Sequence, residues 1–339
     1  MKSIAFFNNK GGVGKTTLLC NLAAYLSLEK KTRILVIDAD PQSNATAYLL
    51  NDEKINYIYS KNLDDSLYGY YESIERGKGY SDRAPFVVNS VRFGVDLLPG
   101  HPRFALREDL LARDWSETLT GKDRGLQTTY AFRHLLNQLA PEYDLIMVDM
   151  GPSLGAINRS ILLAADHFLT PMSADLFSLM AVENILLSLR TWTEQIQMGM
   201  SYFQKNNQGH SYLLDGAPAY RKVSFLGYVM QQYKMQTIRG KKRAVRAYDN
   251  IIQRFPEEIV ELEKSFGLGD VEAAKLGEFP SLFSLIPMSQ TAHAPVFKLT
   301  AADGVVGAHF SMVDSAGQIF EEIANRLIAR IEMFGEVAS

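Results

Sequence analysis

Between Asn8 and Thr17 the chain reads NNKGGVGKTT, directly after the apolar run Ile4, Ala5, Phe6 and Phe7. A strand that ends in glycines and lysine and runs into a helix is the setting a phosphate loop needs. Gly11, Gly12 and Gly14 would let the backbone come close to a polyphosphate and aim its N–H groups inward, with that of Val13 among them. The helix start would add the positive end of its dipole. Lys15 would reach the β- and γ-phosphates, Thr16 would offer its hydroxyl to Mg²⁺, and Thr17 would donate to the α-phosphate. The bland reading, a glycine turn capped by threonines, explains neither lysine. Asn9 stands where the strict phosphate-loop pattern has its first glycine, and Lys10 follows it as a second lysine.

Three carboxylates belong to the same reading. Asp38 leaves one apolar run and Asp40 follows two residues later, while Asp149 ends another run in the same manner. If the runs are parallel strands, all three lie at the edge where the phosphate loop lies. A competing motif is GPSLG at 151–155, which fits the nucleophile elbow of α/β-hydrolases, with Ser153 as nucleophile, Asp175 as acid and His293 or His309 as base. That reading leaves the phosphate loop and the DADPQ segment without a purpose. The six histidines show no zinc spacing.

The elements that must position these groups can be read from periodicity. Short β-branched and aromatic runs at 3–7, 33–37, 95–98, 144–148, 167–170, 224–230 and 282–286 are expected to be buried strands. Helical spacing at 16–28, 130–139 and 176–189 lies between several of them, so the pattern is βαβ. It predicts a doubly wound α/β fold with a mostly parallel sheet flanked by helices, and ligands at the carboxyl ends of the strands. Residues 1–339 are expected to form a single P-loop domain, with polar, Gly- and Tyr-containing elaborations near 51–92 and 197–223.

Composition sets limits. The chain has 339 residues, 47% hydrophobic and 22% charged, well away from disordered composition. Lys and Arg number 35 against 38 Asp and Glu, a net charge of -3, so binding to nucleic acid or anionic lipid would need a local patch. The single cysteine, Cys20, excludes an intramolecular disulfide and a CxxC site. No secretory signal and no run of 18 apolar residues is found, so a cytoplasmic protein is expected.

The loop resembles that of the ParA/MinD family, which reads roughly KGGxGKT[ST] and carries an additional signature lysine. VIDADPQSNAT at 36–46, YDLIMVDMGPSLG at 143–155 and NRSILLAADHFLTPMSADLFSL at 158–179 are similar to further segments of that family, in its order. The resemblance covers most of residues 1–190. It implies that Lys10 reaches across an ATP-sandwich dimer to the partner's phosphates, that Asp40 orients the attacking water, that Asp149 holds Mg²⁺ and that Asp38 supports the metal shell. Gln231 stands where relatives hold adenine with Asn or Thr, and Pro287 stands where a proline flanks the base. Gly151 replaces a proline found in many relatives, which would leave that segment more mobile.

The family also implies an ATP-dependent homodimer with slow Mg·ATP hydrolysis, nonspecific DNA binding, a ParB-type or other adaptor that stimulates hydrolysis, and a DNA or protein cargo. Arg239, Lys241, Lys242, Arg243 and Arg246 crowd into one short stretch and could follow a DNA backbone; a solvated helix start explains them as well. Seven tyrosines between Tyr48 and Tyr80 are expected to pack locally. A last helix, 319–334, sets Phe320, Ile323, Leu327, Ile328 and Ile331 near one face, and the glutamates beside Arg326 and Arg330 favour packing on the sheet over a membrane. With the phosphate loop so near residue 1, an extra operator-binding domain ahead of it, and with it sequence-specific operator binding, is not expected. Two other readings stay open: a MinD-type membrane-associated positioning ATPase, and a nucleotide-switch subunit of a larger secretion, polysaccharide or antiphage complex.

Overall fold

The computed structural model of the chain describes residues 2–61, 65–81, 83–173, 175–232, 237–238, 241–242, 257–280, 282 and 284–337. Its centre is an eight-stranded sheet made of β1 (Lys2–Phe6), β2 (Ile34–Asp38), β3 (Val88–Ser90), β4 (Val95–Leu98), β5 (Leu145–Asp149), β6 (His167–Ser173), β7 (Ser224–Gln232) and β8 (Lys275–Pro280). The strand order is β8-β7-β6-β1-β5-β2-β4-β3. Every neighbour pair is parallel except β3 with β4. The helices that matter for the site are α1 (Lys15–Leu28), α2 (Asn44–Leu49), α3 (Arg107–Leu119), α4 (Ala131–Leu139), α5 (Ala156–Ala164), α6 (Leu176–Asn206), α7 (Leu285–Ala292) and α8 (His309–Val337).

Both faces of the sheet are covered, and the central strands read as continuous apolar runs for that reason. Successive side chains point to opposite faces. Ala5, Ile37, Val148 and Phe168 join the core beneath α4, α5 and α6, whereas Ile4, Phe6, Val36, Met147 and Leu169 join the core beneath α1 and α8. Phe320, Ile323 and Leu327 of α8 are buried against this second layer, as their spacing predicted. Replacing Leu327 by Ala would remove about 2–5 kcal/mol through lost contacts and a cavity.

The structure corrects several boundaries. The expected strand at 282–286 is absent: the eighth strand is Lys275–Pro280, and residues 285–292 form α7. Leu276 and Phe279 are buried there, but Lys275, Gly277 and Glu278 interrupt the apolar pattern and disguised the strand. Helix α6 continues to Asn206, well beyond 189, because Trp192, Ile196, Gly199 and Phe203 keep one buried stripe. A side chain at Gly199 would come within 2.2 Å of the Thr118 carbonyl, so glycine is what lets α6 approach α3. The first part of the expected 197–223 elaboration is therefore helix. Of the seven tyrosines, Tyr48, Tyr70 and Tyr71 are buried and Tyr57 is exposed. Arg330 is not on the surface of α8 but fully buried beside Glu263.

Candidate functional site

Strand β1 lies between β5 and β6, so the loop after Phe6 emerges in the middle of the sheet's carboxyl edge. Asn8 fixes its start. It is fully buried, its amide donates to the Pro171 carbonyl at 2.7 Å, and its oxygen accepts from the Lys10 N–H at 2.8 Å. Gly12 and Gly14 adopt φ of 75° and 71°, the left-handed region that other residues enter at a cost. Gly14 is the N-cap of α1 and supplies no side chain, so the first N–H groups of the helix remain available to an anion. Gly11 has open space around it, and Val13 is buried.

Lys15 begins α1 and folds back over the loop, its Nζ 3.3 Å from the Asn8 carbonyl and 3.4 Å from that of Lys10. Burial lowers its pKa, opposed by the charges of Asp149 and Asp40. Thr16 donates its hydroxyl to Asp149 Oδ2 at 2.7 Å. Asp38 and Asp149 sit opposite each other in the β2–β5 register, and both are fully buried. Burial and the Asp38 charge push the Asp149 carboxyl up to about 8, against the Thr16 hydrogen bond. Burial lifts Asp38 to about 7, against its hydrogen bonds from Thr46.

The three acids are used differently. Asp38 Oδ2 accepts from the Thr46 N–H and hydroxyl at 2.7 and 2.6 Å, and its Oδ1 accepts from the Asp40 N–H at 3.3 Å. Its oxygens thus close the turn from β2 into α2 and do not meet Thr16. Asp40 takes the Gln42 N–H at 2.9 Å on Oδ1 and lies against Gly151, where a Cβ would stand 3.2 Å from that oxygen. Asp149 Oδ1 is buried without a partner. Among the described residues no group of three or more His, Cys, Asp or Glu forms a metal cage. Mg²⁺ seldom uses one, since it takes one or two protein oxygens and completes its shell with phosphates and water. The Thr16 hydroxyl and the unpartnered Asp149 oxygen fit that mode.

Lys10 has a partner in its own chain. Its Nζ donates to Ser173 Oγ at 3.1 Å and forms an ion pair with Asp175. Asp175 also caps α6 by accepting the Ser178 N–H at 3.0 Å. Burial alone would raise the Asp175 carboxyl, but the Lys10, Ser178 and Ser173 bonds outweigh it and hold it below its ordinary value. Gln231 ends near the loop, its Nε2 3.4 Å and the Phe279 ring 3.0 Å from where a Cβ on Gly14 would stand. Pro287 is exposed in the first turn of α7, where its missing N–H costs no hydrogen bond, and it is not at a strand end. Arg239, Arg243 and Arg246 lie outside the described residues. Lys241 and Lys242 are described as backbone that pairs with Thr237 and Ile238.

The hydrolase constellation does not assemble among the described residues. Ser153 meets only the Asn158 amide, Asp175 is committed to Lys10, and His293 Nδ1 faces the Tyr48 carbonyl. Asn8, Thr46 and Ser173 are contributors that sequence reasoning passed over. Asn8 was within reach, because it adjoins the loop; Ser173 carries no local signal of its contact 163 residues away.

An AAA domain family model of the AAA_31 type matches residues 1–201, more than half of the chain. The chain belongs to the ParA/MinD family of P-loop ATPases. Among curated relatives of this ParA/MinD chain, plasmid partition protein A of Escherichia coli is 32% identical over 177 residues, covering 50% of this chain and 42% of that protein. The chromosome-partitioning ATPase Soj of Treponema pallidum is 31% identical over 201 residues, covering 59% and 66%. The chain thus covers less than two-thirds of the length of these curated relatives. Protein DIP2308 from Corynebacterium diphtheriae superposes with a TM-score of 0.71 at 30% identity, covering 86% of this chain and 97% of that one. McdA of Cyanothece, in a complex with ATP, superposes at 0.59 with 18% identity over 96% of each chain, a likeness of fold alone. No helix among the described residues is long and apolar enough to cross a membrane.

Proposed function

We propose that this ParA/MinD-family chain is a partition-type nucleotide switch: a single ATPase domain that binds Mg·ATP, pairs with a second copy in the ATP state, hydrolyses slowly and positions a DNA or protein cargo. The observation that carries the reading is the hydrogen bond of Thr16, next to the loop lysine Lys15, with a buried Asp149 whose second oxygen has no partner. Gly11, Gly12, Val13 and Gly14 with Thr17 would hold the phosphates, Lys15 would neutralise them, and Gln231 would lie toward the base. Bound between Thr16 and Asp149, Mg²⁺ would neutralise charge on the phosphates. Asp40 would orient the attacking water, and Asp38 would keep the β2–α2 turn in shape around it.

Lys10 is proposed to act on the phosphates of a second copy, which requires it to leave Asp175. The basic stretch 239–246 is proposed to grip DNA without sequence preference, and an adaptor protein to stimulate hydrolysis. A cytoplasmic, nucleoid-associated protein follows from those proposals.

Asp40→Ala tests the core of this reading. It removes the water's partner and no phosphate contact, so the variant should bind ATP as wild type does and lose turnover. Normal turnover in Asp40→Ala would remove the catalytic assignment. Mobility shifts on random-sequence DNA, with ADP and a nonhydrolysable ATP analogue side by side across a salt series, test the DNA arm; equal binding in both nucleotides would sink it.

A further inference from the structure

We propose that Glu108 is a positioning residue for the hydrolysis reaction: from α3 it fixes the loop between β5 and α5 against Asp40. The inference rests on the ATPase reading above and adds to it a residue that lies in neither the phosphate loop nor the acidic strand ends.

The loop at 150–155 leads from Asp149 to the first turn of α5 and passes Asp40 at Gly151. Glycine there leaves the backbone free, so something else must hold the loop in place. Two side chains do so. Asn158 of α5 reaches back and donates to the carbonyls of Gly151 and Ser153 at 2.8 and 2.7 Å. Glu108 comes from a different helix and accepts the N–H groups of Ala156 and Ile157, at 2.5 Å on Oε1 and 3.0 Å on Oε2.

Helix α5 has Gly155 as its N-cap and so has no side-chain cap of its own. The Glu108 carboxylate therefore satisfies two of its unpaired N–H groups and places a negative charge at the positive end of its dipole. Any side chain at 155 would evict it, because a Cβ there would stand 2.4 Å from Glu108 Oε1.

Glu108 is itself held from behind. Its neighbour Arg107 is fully buried, pairs with Glu72 and Glu75, and lies 4.0 Å above the Tyr68 ring. On the α5 side Arg159 stacks on Trp115 of α3 at 4.1 Å. The clamp thus ties the first turn of α5, and through Asn158 the carbonyl of Gly151, to a rigid base outside the nucleotide site. Loss of the clamp would let Gly151 drift from Asp40 while the phosphate loop, on the other side of Asp149, keeps its shape. The expected signature is a fall in turnover without a fall in nucleotide affinity.

The test compares wild type, Glu108→Gln and Glu108→Ala in the full chain. In Glu108→Ala, kcat should fall about 10-fold, with KM and the affinity for a fluorescent nonhydrolysable ATP analogue within about 2-fold of wild type. Glu108→Gln keeps one acceptor and should fall in between. Hydrogen exchange over 151–158 should accelerate in the same order. Unchanged exchange, unchanged kcat, or a parallel loss of affinity and turnover that marks a merely structural cap would each overturn the proposal. A wild-type protein without ATP turnover would instead sink the ATPase reading, and the exchange comparison would still decide whether Glu108 holds the loop.

Discussion

Glu263 and Asp149 are both fully buried carboxylates, yet the chain surrounds them in opposite ways. Glu263 pairs with Arg330 of α8 through Oε1, and its Oε2 accepts the N–H groups of Leu268 and Gly269 at 3.0 Å each. Arg330 in turn donates to the Leu226 carbonyl at 3.1 Å. Asp149 faces Asp38 across the sheet, receives one hydroxyl and keeps an oxygen without a partner. A buried charge is costly unless paired. Where the chain supplies the pairing, the acid is architecture; where it withholds it, an oxygen is left open, and the proposed function assigns that oxygen to a cation that arrives with a ligand.

Four outcomes would break or sharpen this contrast. The largest is at the site: Lys15→Ala should weaken Mg·ATP binding about 1,000-fold or more in calorimetric titration, because Lys15 is the cation that folds back over the loop where the phosphates would lie. Retained binding would remove the phosphate-loop reading. Next, Glu263→Ala leaves Arg330 buried and uncompensated and should cost about 3–5 kcal/mol in urea unfolding. Asp149→Asn should go the other way and stabilise the ligand-free protein, since it removes a buried carboxyl that must take up a proton or, above about pH 8, carry an unpaired charge. Comparable destabilisation in both variants would erase the distinction.

The third outcome concerns pH. In the ligand-free protein, Asp38 at about 7 and Asp149 at about 8 hold protons that the unfolded chain has released above the ordinary carboxylate value of 3.8. Between about pH 4 and pH 8 the folded state therefore binds more protons, and stability should fall as pH rises through that window. Thermal melts across the range would show it, with a shallower slope in Asp149→Asn; a flat wild-type profile would contradict the raised values. The smallest effect is expected from Glu263→Leu combined with Arg330→Met. Exchanging the whole pair for apolar groups leaves no charge stranded, so the cost should fall below that of Glu263→Ala, to about 1–3 kcal/mol for the Leu268 and Gly269 N–H groups left without their acceptor.

Much of the site was legible because its parts are local. The loop's glycines, Lys15 and Thr16 fall within a few residues, and the left-handed conformations at Gly12 and Gly14 are what glycine at those positions foretold. Asp38 and Asp149 stood out because apolar runs ended on them, and parallel strands place such ends on one edge. The eighth strand was misplaced for the converse reason. The run at 282–286 is more apolar than Lys275–Pro280, and apolarity alone does not separate a strand from the start of a buried helix.

What the amino-acid sequence determined by itself, then, is the alternating α/β architecture, the phosphate loop and the acids that face it, because backbone conformation, periodicity and strand polarity act over a few residues. Tertiary structure alone decided which side chains meet across long separations. Lys10 finds Asp175 from 165 positions away, Glu108 caps a helix 48 residues on, and Arg330 turns inward to Glu263. Each of those pairings depends on how helices stack on the two faces of the sheet. No local preference encodes the partner of a charged side chain, because the energy of the pair depends on burial and geometry that exist only once the layers have closed.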